Sequence, residues 1–399
     1  MSIIEFLLCH DEWLAFFEYK KSGGHLGKAD EKELYDFIAN KKYIQAAGRI
    51  NNGGLFSLPE AVKVNKSASS KKRTVFIFSE EENFIQKFLA YKLLDYDFLF
   101  SDNLYSFRRN MGVKKAVTRL VYHKGINSMY SFKLDISDYF NSVSAQLLLP
   151  ELESVLEDER LFVLIKEMLL EPYALCDGKR EKVKKGILAG SPLSGFLANL
   201  YISALDKYFE DNGVLYARYS DDIIFFAETE KELDFYIEKV MSFLNEKGLT
   251  VNENKVEKSL PGEAWTFLGF EYCNGVIDIS PVSKMKLKKK MRRKARALYR
   301  WRIKKNAEPE RAVAAFIKYF DKKLYQNPVN NEITWARWYF PIVNTHKSLK
   351  ELDSYMQQCV RYIATGKQNK SSYNFTYENM KALGYVTLVN SFYKSKNNK

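Results

Sequence analysis

The chain has 399 residues, of which 46% are hydrophobic and 28% are charged, with 62 Lys and Arg against 49 Asp and Glu. This hydrophobic fraction excludes a disordered protein, and the length allows more than one hydrophobic core. The net charge of +13 favours an acidic partner, either a nucleic acid or an anionic membrane. All of the excess lies in residues 281–305, which contain 13 Lys and Arg and no acid.

The sequence gives no sign of export or of a membrane segment. The four cysteines lie far apart without C-x-x-C spacing, so we predict neither disulfides nor a zinc site, as is usual in a reducing cytosol. The N-terminal apolar run has no basic start and is interrupted by charges, unlike a signal peptide. Residues 186–205 are uncharged, but their glycines, proline and serines are atypical of a lipid-facing helix. We therefore expect a cytoplasmic protein.

In the first half of the chain, hydrophobic periodicity predicts mostly helices with two strands among them. In chain order we expect a flexible link near residues 20–30, a strand at 74–79 after the basic cluster Lys71, Lys72 and Arg73, a helix from about 80 to 94, a half-buried strand at 130–134, and a helix at 151–170.

The second half alternates strands and helices before a basic segment. We predict a Gly-rich turn that leads into an amphipathic helix near 186–205, two strands at 214–227 joined by a tight acidic turn, a helix at 230–247, a short strand at 265–272, and an aromatic-rich tail. Within residues 281–305 apolar side chains recur at helical spacing, which predicts a helix with one apolar face and a broad cationic face. These apolar residues are Leu287, Met291, Ala295, Leu298 and Trp301.

Four aspartates stand where strands are predicted to end. Asp135 and Asp138 follow the strand at 130–134, and Asp221 and Asp222 occupy the turn of the acidic hairpin. Adjacent acids in a turn are often only solvated, but the apolar flanking strands predict that the base of this turn is buried. Carboxylates placed there would be costly without a cation. Such a cluster suits two divalent metal ions in phosphoryl transfer.

The order of the motifs resembles that of the reverse transcriptase family. The series runs KLDISDYF, GILAGSPLSG, YARYSDD, NEKGLTVNENK and FLGF, and the resemblance covers residues 70 to 275. It is greatest to the bacterial lineage of group II intron proteins, retron enzymes and defence-associated enzymes. The resemblance implies an α+β right-hand polymerase: fingers in 1–115, a palm of antiparallel strands backed by helices in 116–280 with a helical insertion at 145–185, and a basic helical thumb and C-terminal region in 281–399.

The resemblance also assigns roles to residues near the acids. Asp135, Asp221 and Asp222 match the metal ligands, implying two Mg²⁺ ions, with Mn²⁺ as a substitute. Lys255 matches a lysine proposed as general acid for pyrophosphate, although a surface salt bridge is an equal alternative. Phe140 matches a bulky residue that excludes a ribose 2′-OH and so selects dNTPs; the alternative is an aromatic residue at the start of a buried helix. Asp138 is expected either near the metal or in a local salt bridge.

Further residues are expected to bind nucleotide or nucleic acid. The resemblance places Lys72, Arg73, Gly190 and Tyr219 at the nucleotide, with a solvated loop as the alternative for the lysines. The expected nucleic-acid contacts are Arg108, Arg109, Lys284, Lys288, Arg292, Arg293, Arg296 and Arg300. A solvated surface helix is the alternative for residues 281–305, but like charges would repel one another there, whereas duplex RNA or an RNA–DNA hybrid would relieve that repulsion.

Two departures from the family pattern affect the predicted subgroup. Ala189 replaces the usual Gln before Gly190, and Ser194-Gly195 stands where Ser-Pro is expected. The chain lacks Val-Thr-Gly and N-A-x-x-H blocks, which disfavours a retron enzyme, and its four scattered histidines disfavour an H-N-H nuclease. The resemblance then implies DNA synthesis from dNTPs on a dedicated non-coding template RNA, with an RNA–DNA hybrid product, in bacterial antiviral defence.

Several alternatives stay open from the sequence. An intron-type or retron-type enzyme, an RNA-dependent RNA polymerase and a catalytically silent RNA-binding protein would share much of the pattern. A tyrosine of the tail could supply a priming hydroxyl, the candidates being Tyr373, Tyr377, Tyr385 and Tyr393. The template, the primer and the oligomeric state are not predicted.

Overall fold

The computed structural model describes residues 2–23, 26–65, 72–183, 186–325 and 334–397. Its internal contacts divide the chain into two compact units, Met1–Glu263 and Ala264–Lys399. This division lies upstream of the predicted boundary between palm and thumb at 280/281, because the strands around FLGF pack with the C-terminal helices. The assignment of fingers, palm and thumb stays a prediction.

The first unit combines helices with two small sheets. Its first half contains α1 (His10–Ser22), α2 (Lys28–Ala39), α3 (Ile44–Asn51), β1 (Glu60–Asn65), β2 (Lys72–Ile77), α4 (Glu80–Leu93), α5 (Val113–Val121), β3 (Tyr130–Asp135) and α6 (Tyr139–Ser142). Its second half contains α7 (Ala145–Val155), α8 (Glu159–Leu170), β4 (Tyr173–Cys176), β5 (Lys179–Lys182), α9 (Ser194–Tyr201), α10 (Ser203–Asp211), β6 (Tyr216–Tyr219), β7 (Asp222–Ala227), α11 (Glu230–Glu246) and β8 (Glu257–Ser259).

The central sheet of this unit has the strand order β6-β7-β3-β8, with every neighbouring pair antiparallel. Its apolar side chains are buried, with Leu134, Ile223 and Phe225 each 0% exposed. Helix α11 packs against β3 and β7, and α10 packs against β6. Along β7 every residue from Ile223 to Ala227 is at most 3% exposed, so both faces of this strand are covered. The predicted antiparallel sheet backed by helices is therefore confirmed.

The second sheet of the unit has the order β2-β1-β4-β5, in which β1 and β2 form an antiparallel pair. The predicted strand at 74–79 corresponds to β2. One helix was predicted at 151–170, and this is wrong in detail, because the chain leaves α7 after Val155 and restarts at Glu159. Asp158 begins the new helix, accepting a hydrogen bond from the backbone N–H of Leu161 at 3.0 Å.

The second unit consists of a three-stranded sheet followed by helices. Its elements are β9 (Trp265–Phe267), β10 (Phe270–Cys273), β11 (Val276–Ile279), α12 (Pro281–Lys305), α13 (Pro309–Leu324), α14 (Trp335–Tyr339), α15 (Lys347–Thr365), α16 (Tyr377–Ala382) and α17 (Leu388–Asn397). None of the described helices combines the length and the apolar composition that a membrane span requires.

The single strand predicted at 265–272 is a hairpin instead. Leu268 and Gly269 have φ values of 50° and 89°, so the chain reverses between β9 and β10. A Cβ atom on Gly269 would lie 2.8 Å from the hydroxyl of Tyr339, so this position also needs the close approach that glycine allows. The leucine gave no turn signal, which is why the sequence pattern suggested one strand.

Helix α12 has the bounds of the basic segment. Ser280 caps it by accepting a hydrogen bond from the N–H of Ser283, and it packs against α13 and α15. Leu287, Met291 and Ala295 are buried as predicted. The apolar face is shorter than expected, however, because Trp301 is 36% exposed.

Candidate active site

The antiparallel register brings three carboxylates together. Asp135, the last residue of β3, lies directly opposite Asp222, the first residue of β7. Asp221 precedes Asp222 in the turn after β6. Carboxylate oxygens of the three residues all lie within 4.8 Å of one another. Three of the four aspartates singled out in the sequence therefore form one cluster.

Backbone contacts hold the acidic turn against its neighbours. Ser220 has a φ of 60°, which lets the chain reverse within two residues. Its N–H donates to the hydroxyl of Ser106 at 2.8 Å, and the carbonyl of Asp221 accepts from the N–H of Ile136 at 3.0 Å. The turn is thus anchored on both sides, so the two acids project from a fixed backbone.

The environment of the cluster disfavours three free negative charges. Asp135 is only 4% exposed, and Asp221 and Asp222 are half-buried. Burial, followed by the charges of Asp221 and Asp135, raises the pKa of Asp222 to about 6. Oxygen ligands that repel one another in this way suit hard divalent cations such as Mg²⁺ or Mn²⁺. The donor set therefore fits a divalent metal site.

Lys255 contacts the cluster directly. Its ammonium donates a hydrogen bond to Oδ2 of Asp135. Burial alone would lower the pKa of Lys255, but the hydrogen bond to Asp135 and the neighbouring carboxylates outweigh burial and raise it. Lys255 therefore provides positive charge at the site, whereas its role as general acid stays a prediction. Asp138 is not part of the cluster; it accepts a hydrogen bond from the side-chain amide of Asn141 at 3.2 Å.

A buried ion pair beneath the turn was not foreseen from the sequence. Arg218 lies on β6, two residues before Ser220. Its side chain is 0% exposed and pairs with Asp206 of α10, which is also 0% exposed. Its Nε donates to Asp206 at 2.7 Å, and its Nη2 donates to the carbonyl of Asn199 at 3.1 Å. The guanidinium thereby links the hairpin strand to both α9 and α10.

The same ion pair draws in further polar groups. The hydroxyl of Tyr216 donates to Asp206 at 2.8 Å, and Nη1 of Arg218 reaches the carbonyl of Ser220 at 3.4 Å. A charge buried this deeply is costly unless it is paired. An arginine between the apolar residues of YARYSDD was the one indication of a buried charge in the sequence. Its partner Asp206 lies on another element, and nothing in the sequence marked it.

Phe140 is half-buried beside Phe107, whose ring meets it nearly at right angles with 6.2 Å between centroids. Phe107 has a φ of 54° and is 52% exposed. Its ring also lies over Gly195, where a Cβ atom would be only 2.7 Å from Cγ of Phe107. Gly195 therefore stands where Ser-Pro was expected, and the ring of Phe107 occupies the space that a proline side chain would need.

The Ala189-Gly190 segment lies against strand β2. The carbonyl of Ala189 accepts a hydrogen bond from the N–H of Phe76 at 2.8 Å. Gly190 has a φ of 110°, and a Cβ atom there would lie 2.9 Å from the carbonyl oxygen of Phe76. Only glycine fits this approach without strain. Tyr219, the last residue of β6, is half-buried, and burial raises its pKa.

For the predicted nucleotide contacts at Lys72 and Arg73, the structure gives fewer details. Arg73 is exposed on β2 and faces Val64 of β1 in the register. Lys72 is the first residue of β2, but its side chain lies outside the described residues, as does all of Lys71. These contacts stay predictions.

The prediction that Arg108 contacts template or nucleotide does not fit the structure. Arg108 is 5% exposed, and all five of its N–H donors bond within the chain. The acceptors are the carboxylate and carbonyl of Asp97 and the carbonyls of Ser101 and Leu104. Arg108 therefore fixes the loop that leads to Phe107. Arg109 is 37% exposed and pairs with Asp95.

The cations of α12 are not all alike. The helix itself has no acid, but α15 supplies Glu351, which pairs with both Lys284 and Lys288. Hydrogen bonds from these two lysines lower the pKa of Glu351. We expected the cations of residues 281–305 to repel one another without counter-ions, and this is wrong for the first two turns of α12. Arg292 donates to the hydroxyl of Tyr355 at 2.9 Å, and Arg293, Arg296 and Arg300 are exposed.

The four tail tyrosines differ in exposure. Tyr385 is 4% exposed and its hydroxyl contacts Asp353, so it does not fit the predicted priming role. Tyr373 and Tyr393 are 60% and 47% exposed, and Tyr377 is half-buried.

Comparison with known proteins agrees with this site. A family model described as reverse transcriptase (RNA-dependent DNA polymerase) matches residues 64–272, more than half of the chain. The chain belongs to the reverse transcriptase family. The matched region includes the whole central sheet of the first unit, the three clustered aspartates and Lys255.

Individual relatives support the retron and group II intron lineage. The retron Ec83 reverse transcriptase of Escherichia coli is 29% identical over 140 residues, which are 33% of this chain and 43% of that protein. A putative COX1/OXI3 intron 2 protein of Saccharomyces cerevisiae is 23% identical over 213 residues, 53% of this chain and 24% of that protein. The chain thus spans less than half the length of these relatives.

Among solved structures, apo telomerase from Candida tropicalis, truncated from its C-terminal domain, matches with a TM-score of 0.47 and 13% identity. The match covers 56% of this chain and 55% of that one.

Proposed function

We propose that this reverse transcriptase is an RNA-directed DNA polymerase that adds dNTPs to a 3′-OH end. The observation that carries the proposal is the cluster of Asp135, Asp221 and Asp222 on adjoining strands, with carboxylate oxygens within 4.8 Å of one another. Membership of the family makes nucleotidyl transfer the reaction that such a cluster serves.

The three aspartates would hold two divalent cations, for which Mg²⁺ is the natural choice and Mn²⁺ a substitute. When bound, such cations activate the attacking 3′-OH and stabilise the charge of the leaving pyrophosphate. Lys255, which donates a hydrogen bond to Asp135, would orient that carboxylate and would donate a proton to the departing pyrophosphate.

Substrate binding is assigned to residues around the cluster. Lys72 and Arg73 would neutralise the triphosphate, and Gly190, whose backbone packs closely on β2 beside them, would lie at the nucleotide. Tyr219 would lie beside the nucleotide, and Phe140 would exclude a ribose 2′-OH and so select dNTPs. The exclusion of NTPs is what separates this proposal from an RNA-dependent RNA polymerase.

The nucleic acid is assigned to the second unit. The exposed cations of α12 would bind the sugar-phosphate backbone of the template RNA and of the RNA–DNA hybrid product. By its lineage, we further propose that the template is a dedicated non-coding RNA and that the cDNA serves bacterial antiviral defence. This last step rests on resemblance to the lineage and on the motifs absent from the chain.

The test is a double substitution, Asp221→Asn with Asp222→Asn, assayed on a pre-annealed RNA template and DNA primer. We expect dNTP incorporation to fall by at least about a thousandfold, since the substitution removes the negative charge that holds the cations. RNA affinity should stay within about twofold, because the exposed cations of α12 are unchanged. EDTA should abolish incorporation by the unaltered protein, and added Mg²⁺ or Mn²⁺ should restore it.

Asp138→Asn is the matched control, because it removes a nearby carboxylate that lies outside the cluster, and it should leave incorporation near its original level. Incorporation that survives in the double variant would refute the assigned cluster. A protein that binds RNA but extends no primer on any template, even with added metal, would be the silent RNA-binding alternative.

A further inference from the structure

Two adjoining hollows lie on the cationic side of α12, both within the second unit. The first has a volume of about 450 Å³ and is bounded by α12, α15 and the segment 367–373. The second, about 420 Å³, runs along α12 itself. Arg292, Arg296 and Tyr362 line both, so the two hollows form one continuous surface.

Seven cations and no acid line this surface among the described residues. Five of the cations come from α12, at positions that share one helical face, and two come from outside it. They are Lys289, Arg292, Arg293, Arg296, Arg300, Arg361 and Lys367. None of the ion pairs formed by described residues involves them, whereas Lys284 and Lys288 share the single negative charge of Glu351. The hollows therefore attract an anion with charge that the protein itself leaves uncompensated.

Three tyrosines add aromatic rings to the wall of the first hollow. Tyr355, Tyr362 and Tyr373 line the first hollow, and the ring of Tyr373 is 60% exposed. The guanidinium of Arg361 lies 4.3 Å from the centroid of the Tyr373 ring. Among the described residues no hydrogen-bond partner reaches Nε of Arg361. A stacked ring and cation of this kind offer one flat face and several N–H donors at the same place.

The end of α15 brings these groups over the hollow. Gly366 has a φ of 72° and ends the helix in the left-handed conformation. A Cβ atom there would lie 2.5 Å from the hydroxyl of Tyr299, so a larger residue would collide. The chain turns sharply at this glycine, and Lys367 and Tyr373 then lie beside Arg292 and Arg296.

We propose that the first hollow binds an unpaired nucleotide of RNA, with its base on Tyr373 and its phosphate between Arg292, Arg296 and Lys367. The site extends the proposed function, on which it rests, by assigning single-stranded RNA to a hollow that adjoins the α12 cations proposed to bind duplex and shares Arg296 with them. Its volume lies in the range of about 300–1,000 Å³ found for small-molecule sites. Such a hollow admits one base that is splayed out of a stack, and aromatic rings flanked by cations are how proteins hold such bases.

The test compares single-stranded and duplex probes on the full-length chain. The probes are a fluorescent oligouridine RNA and a blunt RNA–DNA hybrid of the same length, and the readout is fluorescence anisotropy over a range of salt. Tyr373→Ala should weaken oligouridine binding about tenfold without altering its salt slope, since it removes stacking but no charge. Lys367→Gln should weaken it and reduce the slope by roughly 0.7, the value for one phosphate contact on a single strand. Hybrid binding should change less than about twofold in both.

Tyr373→Phe separates stacking from a contribution of the hydroxyl to binding, because it keeps the ring and should retain the original oligouridine affinity. The matched controls are Lys350→Gln, an exposed lysine on the same helix α15, and Tyr393→Ala, an exposed tyrosine outside the hollow. Both should leave oligouridine binding unchanged.

Equal losses on oligouridine and hybrid would overturn the proposal, as would no loss on either. All variants should extend a pre-annealed template–primer at the original rate when it is saturating. If the unaltered protein does not extend the template–primer at all, the polymerase assignment is wrong. Failure of the proposed function is thus distinguishable from failure of the single-stranded RNA site.

Discussion

Phe140 is positioned by residues far from it in sequence. The ring of Phe107 contacts it edge to face, and Phe107 in turn occupies the space above Gly195. Arg108, the next residue, has all its donors bonded to the preceding loop and so anchors the chain beside Phe107, whose φ is 54°. A residue read as a nucleic-acid contact in the sequence thus supports the proposed sugar-selecting residue instead.

Phe140→Ala should relax selection between dNTPs and NTPs. If the ring excludes the 2′-OH by steric clash, its removal should raise the ratio of kcat/KM for NTPs over dNTPs by roughly tenfold or more, mainly through better use of NTPs. Phe107→Ala should shift the ratio in the same direction by less, since Phe140 would lose its neighbour but keep its ring. Single-nucleotide incorporation with matched dNTP and NTP pairs measures the ratio.

Phe98→Ala is the control for this prediction, because Phe98 is a 78% exposed aromatic residue of the same unit. It should not change the ratio. If Phe140→Ala also leaves the ratio unchanged, Phe140 is only a packing residue and sugar selection lies elsewhere.

At the scale of elements, the β6–β7 hairpin depends on the buried pair between Arg218 and Asp206. Arg218→Met would leave Asp206 buried without its partner, which should lower the free energy of unfolding of the first unit by about 3–5 kcal/mol. Adding Asp206→Asn removes the unpaired charge and keeps an acceptor for Tyr216, so much of that stability should return. Thermal unfolding measures both effects.

Stability alone does not describe the expected role of this pair. The double variant still lacks the contacts of Arg218 with Ser220 and Asn199, which position the turn that carries Asp221. We therefore expect its kcat for dNTP incorporation to stay well below the original, with little change in KM. Full recovery of kcat alongside stability would show that the pair serves folding only.

The sequence predicted those elements whose hydrophobic pattern can be recognised within the segment itself. The strands β3, β6 and β7 and the helices α11 and α12 follow from alternation and from helical spacing. The proximity of Asp135 to the acidic turn was expected from metal chemistry and from the order of the family motifs, because β3 and β7 are far apart in the chain. The turn at Leu268 was missed because its positive φ is set by packing. Asp206 was missed because an ion pair between a helix and the following strand leaves no pattern in the chain.

At the scale of the whole molecule, charge and chemistry belong to different units. The first unit contains 35 Lys and Arg against 40 Asp and Glu, whereas the second contains 27 against 9. The acidic cluster proposed to hold metal lies in the unit with slight negative charge, and the surface proposed to bind a polyanion lies in the strongly positive one. The net charge of +13 therefore describes neither unit.

This separation predicts that affinity for nucleic acid can be reduced without loss of chemistry. Arg293→Gln with Arg300→Gln removes two exposed cations of α12, and should reduce the slope of log affinity against log salt for an RNA–DNA hybrid by about 2, roughly one for each phosphate contact. Lys284→Gln with Lys288→Gln removes the same charge from the helix, but both lysines already pair with Glu351. Its effect on the slope should be less than half as large.

In both variants, kcat at saturating template–primer should match the original, because the carboxylate cluster is unchanged. Equal slopes for the two variants would mean that nucleic acid displaces Glu351 from its lysines and that position along α12 is unimportant. A fall in kcat that persists at saturation would mean that α12 acts on the chemical step, and the division of roles between the two units would then be wrong.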